Sequence, residues 1–92
     1  MTKTKTIDVE VFVYDFVEYE KDDVYATILI HYGVLTYEHE VSLNVLEEEG
    51  MAFVVQEIVG VPAGTKMVLE EFHGEYDTFD CRVWVGTSTF EV

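Results

Sequence analysis

The chain has 92 residues, a length that accommodates one domain around a single hydrophobic core. Hydrophobic residues make up 49% of it, which excludes a disordered acidic tail as the main state. Nineteen acidic and five basic residues give a formal net charge of −14, so direct binding to nucleic acid or to an anionic membrane is not expected.

The cysteine content and the hydropathy predict where the protein resides. Cys81 is the only cysteine, so neither an internal disulfide nor a cysteine-based zinc cluster is expected. No stretch approaches the roughly 18 apolar residues of a membrane span, and residues 1–10 lack the apolar segment of a signal peptide. We therefore expect a cytoplasmic protein.

A three-strand antiparallel meander is predicted for the first half of the chain. Residues 1–6 are expected to be frayed, and from Ile7 onward apolar and acidic residues alternate with a period of two. Turn-forming residues at 21–23 and at Gly33 separate this first strand from two more alternating segments. Hairpins centred on these turns would pair residues whose numbers sum to about 43 and about 67, which places the apolar sets of all three strands on one side of the sheet.

One helix is predicted after the meander. Asn44 and Glu47 have the spacing of a capping box, with Asn44 as the N-cap residue. Gly60 suits the C-terminal cap, and Pro62 prevents the helix from continuing.

The remaining residues are expected to complete the sheet. Residues 65–72 fit a strand or a short helix, with the strand favoured, residues 81–85 form a later strand, and residues 87–92 end the sheet. The predicted fold class is α+β, as a single domain over residues 1–92. It consists of an antiparallel sheet of about five strands, which includes the N-terminal three-strand meander, with one helix packed on it.

Most of the acidic residues fall into four groups. They are Glu18, Glu20, Asp22 and Asp23; Glu38 and Glu40; Glu47, Glu48 and Glu49; and Glu70, Glu71, Glu75, Asp77 and Asp80. Carboxylates at i and i+2 along a strand repeat about every 6.6 Å, a step similar to that between neighbouring backbone phosphates. Fourteen charges correspond to roughly 24 Å of duplex DNA, and the domain is expected to be about 30 Å across, so charges on one face would approach the density of DNA. These groups are candidates for mimicking phosphates, and the alternative is that they serve solubility alone.

In size, acidity and α+β pattern, the chain resembles small phage-encoded DNA-mimic inhibitors. This class includes the anti-restriction nuclease inhibitor of T-even phages, uracil-DNA glycosylase inhibitors and acidic anti-CRISPR proteins. The chain lacks the Glu-Ser pair that the glycosylase inhibitors use at the DNA-binding groove of their enzyme, so a nuclease inhibitor is favoured. The resemblance implies a protein that blocks the DNA-binding site of a host nuclease or other defence protein, in the host cytoplasm. The alternative is an acidic structural or assembly module whose charge only keeps it soluble.

Aromatic side chains are predicted on the second face of the sheet. Phe12, Tyr14 and Phe16 lie opposite the valines of the first strand, and the expected pairing puts Leu29 and His31 beside them. One alternative is that the C-terminal half of the chain covers this face. The other is that the aromatic residues form a homodimer or partner interface, where such residues are enriched. A homodimer is accordingly expected.

No feature of the sequence indicates an enzyme. Asp15 and His39 fall on the otherwise apolar side, where each would pair with Ile28 or be moved outward by a bulge. A catalytic couple would require an orienting group or a nucleophile, and none accompanies them. The histidines lack metal-ligand spacing, and phosphate-binding loops and serine-centred elbows are absent from the sequence. We therefore expect no catalytic residues, no cofactor and no metal site.

Overall fold

A computed structural model describes residues 3–72 and 81–92 as an antiparallel sheet of five strands with two short helices packed on it. The strands are β1 (Thr4–Glu20), β2 (Asp23–Tyr32), β3 (Leu35–Ser42), β4 (Lys66–Phe72) and β5 (Cys81–Glu91). Helices α1 (Leu43–Glu49) and α2 (Met51–Val59) connect β3 to β4. The order of the strands across the sheet is β3-β2-β1-β5-β4. The α+β class and the five antiparallel strands are therefore confirmed.

The N-terminal meander is confirmed, although only one of its two registers is as predicted. In β3, His39 lies opposite Ile28, as expected. In β1, Val13 rather than Asp15 lies opposite Ile28. This displacement is an even number of residues, so the valines of β1 up to Val13 keep the predicted side of the sheet.

Two irregularities in β1 produce that displacement. Next to the turn, Glu20 lies opposite Asp23, as predicted. The register then shifts between Glu18 and Glu20, and again between Tyr14 and Val17. Each extra residue on one strand moves the pairing by one position, so the two shifts together move it by two.

The second of these irregularities is a bulge around Asp15, which has a φ of +53°. Asp15 is exposed there, so the alternative that a bulge moves it outward is confirmed, whereas His39 pairs with Ile28 and is exposed on the edge strand. Because a bulge inverts the alternation beyond it, Val17 joins Tyr14 on one face and Phe16 turns to the other. The predicted faces of Val17 and Phe16 are therefore wrong.

The predicted single helix is divided at Gly50, whose φ of +86° interrupts the helical backbone. Helix α1 begins directly after Ser42, so Asn44 is not the N-cap residue. Its side-chain amide instead donates a hydrogen bond to the backbone carbonyl of Asp22 at 3.3 Å. The prediction for Gly60 is confirmed, because it ends α2 in the left-handed conformation.

The C-terminal strand extends the sheet instead of covering it. β5 is one continuous strand between β1 and β4, so residues 87–92 do not end the sheet and β4 is the edge strand. The strand predicted for residues 65–72 is confirmed as β4. Thr4 pairs with Glu91 and Thr6 with Thr89, so part of the N-terminal segment expected to be frayed belongs to β1.

The core lies between one face of the sheet and the two helices. Its fully buried members include Val11, Ile28 and Val55. The hydroxyl groups of Tyr32 and Ser88 lie 2.8 Å apart in a buried hydrogen bond, which satisfies both polar atoms. The principal dimensions are 53 × 27 × 20 Å, so the expected diameter of about 30 Å is wrong along one axis. The 17-residue β1, at about 3.3 Å per residue, is long enough to account for that axis.

Candidate functional site

The face of the sheet opposite α1 and α2, called the open face below, carries the side chains that alternate with the core residues. The helices pack on the side of Val9, Val11 and Ile28, so the residues between these point the other way. The acidic members of the open face include Asp8, Glu10, Glu38, Glu40, Glu70 and Glu91, and its apolar and aromatic members include Phe12, Tyr14, Leu29, Val68, Phe72, Val83 and Val85. The open face therefore combines an apolar centre with carboxylates on several strands.

Two glutamates of the edge strand β3 are held by tyrosine hydroxyl groups. Tyr14 donates a hydrogen bond to Glu38 Oε2 at 3.1 Å. Tyr19 donates to both carboxylate oxygens of Glu40, at 3.2 and 3.0 Å, and its ring packs edge-on against Tyr25. Because these contacts restrict both carboxylates, Glu38 and Glu40 present two ordered negative charges about 6.6 Å apart along the strand.

The Tyr14–Glu38 contact predicts an effect on titration. The hydrogen bond to Glu38 raises the pKa of Tyr14 above its usual 10.0, because the carboxylate accepts from the neutral phenol and repels the phenolate. We expect Glu38→Gln to lower the pKa of Tyr14 towards 10.0, as followed by NMR of the tyrosine ring carbons.

The raised pKa of Tyr14 in the folded protein also makes the stability of the fold depend on pH. The contact stabilises the fold below about pH 10, and this contribution is lost as the pH rises through the raised pKa of Tyr14. For the titration of Tyr14, the matched control is Glu57→Gln, which neutralises an exposed carboxylate on α2.

An unchanged Tyr14 titration in Glu38→Gln would show that the hydrogen bond does not form in solution.

A depression of about 410 Å³ lies on the open face where β1, β5 and β4 run side by side. It is lined by Glu10, Phe12, Phe72, Val83 and Val85. Val83 is only 3% exposed, whereas Phe72 is 42% exposed. The ring of Phe12 meets the His31 ring edge-on, with centroids 5.7 Å apart. The depression is thus mostly apolar, with a carboxylate among its lining residues.

The structure does not bring all the predicted phosphate-mimicking residues together. Glu38, Glu40 and Glu70 share the open face. The others lie elsewhere: Glu18, Glu20, Asp22 and Asp23 around the β1–β2 turn, Glu47, Glu48 and Glu49 on α1, Glu71 on the helix side of β4, and Glu75, Asp77 and Asp80 outside the described residues. The acidic groups therefore form several surfaces and not one.

Most of the negative charge is not neutralised within the fold. In residues 3–72 and 81–92, the one ion pair joins Arg82 Nη2 to Glu71 Oε1 at 2.7 Å. The net charge spread over the 53 Å axis amounts to about one charge per 4 Å. Duplex DNA carries one per about 1.7 Å and a single strand one per about 3.4 Å. The expected duplex-like density is therefore wrong, because even the net charge of all faces together gives a lower density than duplex DNA.

The aromatic residues predicted to form an interface are divided by the bulge. Phe12 and Tyr14 lie on the open face, where Phe12 pairs with Leu29 as predicted, and Phe16 lies on the helix side. Sequence reasoning missed Glu10 and Phe72 as members of the same face. For Glu10 a signal existed, because it alternates with the valines of β1. For Phe72 none did, because its position depends on the pairing of β4 with β5.

The part of the chain described here contains no group of three or more His, Cys, Asp or Glu side chains that could hold a metal ion. Neither α1 nor α2 is long and apolar enough to span a bilayer, and these are the helices of the described residues. No protein-family model, curated protein or solved structure matches this chain.

Proposed function

We propose that this protein is an acidic inhibitor that binds the nucleic-acid-binding surface of a partner protein, such as a host nuclease or another defence factor. Carboxylates of the open face would pair with basic residues of the partner that otherwise hold phosphates. Binding alone blocks access of DNA, so the function requires no catalytic residue or cofactor.

The ordered pair Glu38 and Glu40 is the observation that supports this proposal most. An exposed glutamate normally loses side-chain entropy when it forms an ion pair, by up to about 1.5–2 kcal/mol. Tyr14 and Tyr19 already restrict these two carboxylates in the free protein. Such preorganisation reduces the loss on binding, because the charges stand ready in position as phosphates do on a backbone.

The overall charge supports the same function through long-range attraction. With a net charge of −14 and one ion pair among the described residues, the surface potential is strongly negative. A basic binding cleft on a partner would be attracted over about a Debye length, roughly 8–10 Å at physiological salt. This attraction accelerates association with basic partners and repels nucleic acids and acidic proteins.

The apolar centre of the open face favours a second candidate function. Phe12 and the partly exposed Phe72 lie on it, and exposed apolar patches are typical of interaction surfaces. The protein would then be an assembly module, or a homodimer that pairs through Phe12 and Tyr14, and its charge would serve solubility. This function predicts binding that tolerates salt and carboxylate neutralisation.

The proposed function is tested by capture from the lysate of a candidate bacterial host, using the double variant Glu38→Gln with Glu40→Gln. Glutamine keeps an oxygen that accepts from the tyrosine hydroxyl, so this variant removes charge and preserves the contacts. We expect the wild type to enrich DNA-binding proteins, and added DNA to displace them. The double variant should bind them about 5- to 30-fold more weakly, because lost charge pairs cost roughly 1–2 kcal/mol in total.

The matched control is Glu48→Gln with Glu57→Gln. It removes the same charge from exposed positions on α1 and α2, which lie on the other side of the sheet. We expect this control to capture the same partners as the wild type. The proposal fails if no DNA-binding protein is enriched, or if added DNA leaves the captured proteins in place.

A further inference from the structure

The geometry points to the open-face depression as a binding site for an arginine side chain of the partner protein. This inference deepens the proposed function and relies on it for the nature of the partner. It names the group of the partner that the protein recognises and the residues that receive it. The site consists of two rows of side chains that run across β1, β5 and β4.

The first row consists of two aromatic rings on either side of a valine. Val83 of β5 lies opposite Phe12 of β1 and also opposite Phe72 of β4. Neighbouring strands are about 4.8 Å apart, so the two phenylalanines stand about 10 Å apart across the floor formed by Val83. One planar cation between them lies within the roughly 6 Å that a cation–π contact allows for each ring.

The second row repeats this arrangement with carboxylates. Val85 lies opposite Glu10 of β1 and opposite Glu70 of β4. Residues two apart on one strand are about 6.6 Å apart, so each glutamate is the neighbour of a phenylalanine along its own strand. In residues 3–72 and 81–92, neither glutamate forms an ion pair, and no basic residue lines the depression.

Arginine is the side chain that can contact the phenylalanines of the first row and the glutamates of the second at once. Its planar guanidinium stacks on aromatic rings and donates hydrogen bonds to carboxylates, whereas a lysine ammonium is a compact and strongly hydrated charge. Its three methylene groups contact apolar side chains such as Val83 and Val85. A second copy of this chain is a poor occupant, because two molecules with a net charge of −14 repel each other.

The test uses a matched pair of probes, a pentapeptide of four glycines around one arginine and the same peptide with citrulline. Citrulline has nearly the same shape and no charge, so the comparison isolates the cation. Binding is followed by amide chemical shifts of the full chain at about 0.15 M salt. We expect the arginine peptide to shift the amides of Phe12, Val83 and Val85, and to bind at least about tenfold more tightly than the citrulline peptide.

Three variants test whether the affinity for the arginine peptide comes from the depression or from the overall negative charge. Glu10→Gln with Glu70→Gln should weaken arginine binding about fivefold or more, and Phe72→Ala should weaken it similarly because a stacking ring is lost. Glu48→Gln with Glu57→Gln removes equal charge from the two helices and should change the affinity less than twofold. The amide spectrum of each variant shows whether the fold is retained.

Three results would overturn the inference: equal binding of both peptides, shifts confined to the β1–β2 turn or to α1, and shifts at the depression on raising the protein concentration alone. The last would assign the depression to a second copy. Failure here is distinguishable from failure of the proposed function. DNA-competed capture without arginine binding refutes the depression alone, and arginine binding without such capture refutes the inhibitor.

Discussion

Gly86→Ala is expected to lower the free energy of unfolding by about 3 kcal/mol or more. Gly86 lies in β5 between Val9 of β1 and Leu69 of β4. A Cβ atom at this position would overlap the backbone carbonyl oxygen of Val68 and would lie 3.0 Å from the Cα atom of Leu69. These are backbone atoms, which cannot rotate away, so β4 would have to separate from β5. Urea denaturation of both proteins measures the loss.

The control for Gly86→Ala is Gly60→Ala. Gly60 has a φ of +73°, and no atom lies within 4 Å of an added Cβ. That substitution therefore costs only the strain of a left-handed residue, about 1–2 kcal/mol. If Gly86→Ala destabilised the protein no more than Gly60→Ala, the close approach of β4 and β5 would be refuted. Since Glu70 and Phe72 belong to β4, separation of that strand would also dismantle the open-face depression.

Ile28→Ala is expected to destabilise the fold by about 2–5 kcal/mol. Ile28 is fully buried at the centre of β2, in the core that α2 covers with Val54 and Val55. Removing three carbon atoms there leaves a cavity that the surrounding strands can fill only in part. Thermal or urea unfolding gives the magnitude.

The neighbouring residue supplies the control, because Leu29 lies on the open face and is only partly buried. Leu29→Ala should destabilise the fold by about 1 kcal/mol, in proportion to its smaller buried area. Equal losses in the two variants would contradict the placement of the helices on the Ile28 side of the sheet.

The meander was predictable because its information is local. Period-two alternation assigns each residue to a face, and short turns fix which strands pair, so His39 was correctly placed opposite Ile28. A bulge that moves Asp15 outward was one of two alternatives for this polar residue among valines, and the alternation alone could not choose between them. Its consequence is large, because Val17 and Phe16 exchange faces.

The helix and the strand order show two other limits of sequence reasoning. Gly50 stands inside an otherwise helical pattern, and glycine there weakens a helix by about 1 kcal/mol relative to alanine, but this does not reveal that the backbone leaves the helix. The position of β5 beside β1 depends on pairing between residues more than 70 positions apart, such as Val9 with Gly86. Periodicity assigns faces and cannot choose such partners. The glycine in the middle of β5 was the one local sign of a close approach.

In the candidate site too, the features within one strand could be predicted and those that depend on long-range pairing could not. Glu38 and Glu40 could be predicted as neighbours on a wet face, since both lie in one strand. Their hydrogen bonds with Tyr14 and Tyr19 could not, because those tyrosines lie two strands away and Tyr19 lies beyond the bulge. The depression likewise requires the pairing of β5 with both β1 and β4.

The salt dependence of the affinity for a captured partner tests the proposed function most directly. Pairing of carboxylates with basic residues is screened by salt, so we expect the affinity of the wild type to fall about 10- to 100-fold between about 50 mM and about 200 mM salt. The decrease should be smaller for Glu38→Gln with Glu40→Gln, which has fewer charge pairs to lose, and unchanged for Glu48→Gln with Glu57→Gln. An affinity that is independent of salt and equal in all three proteins would contradict inhibition through phosphate-mimicking carboxylates and would favour the assembly module.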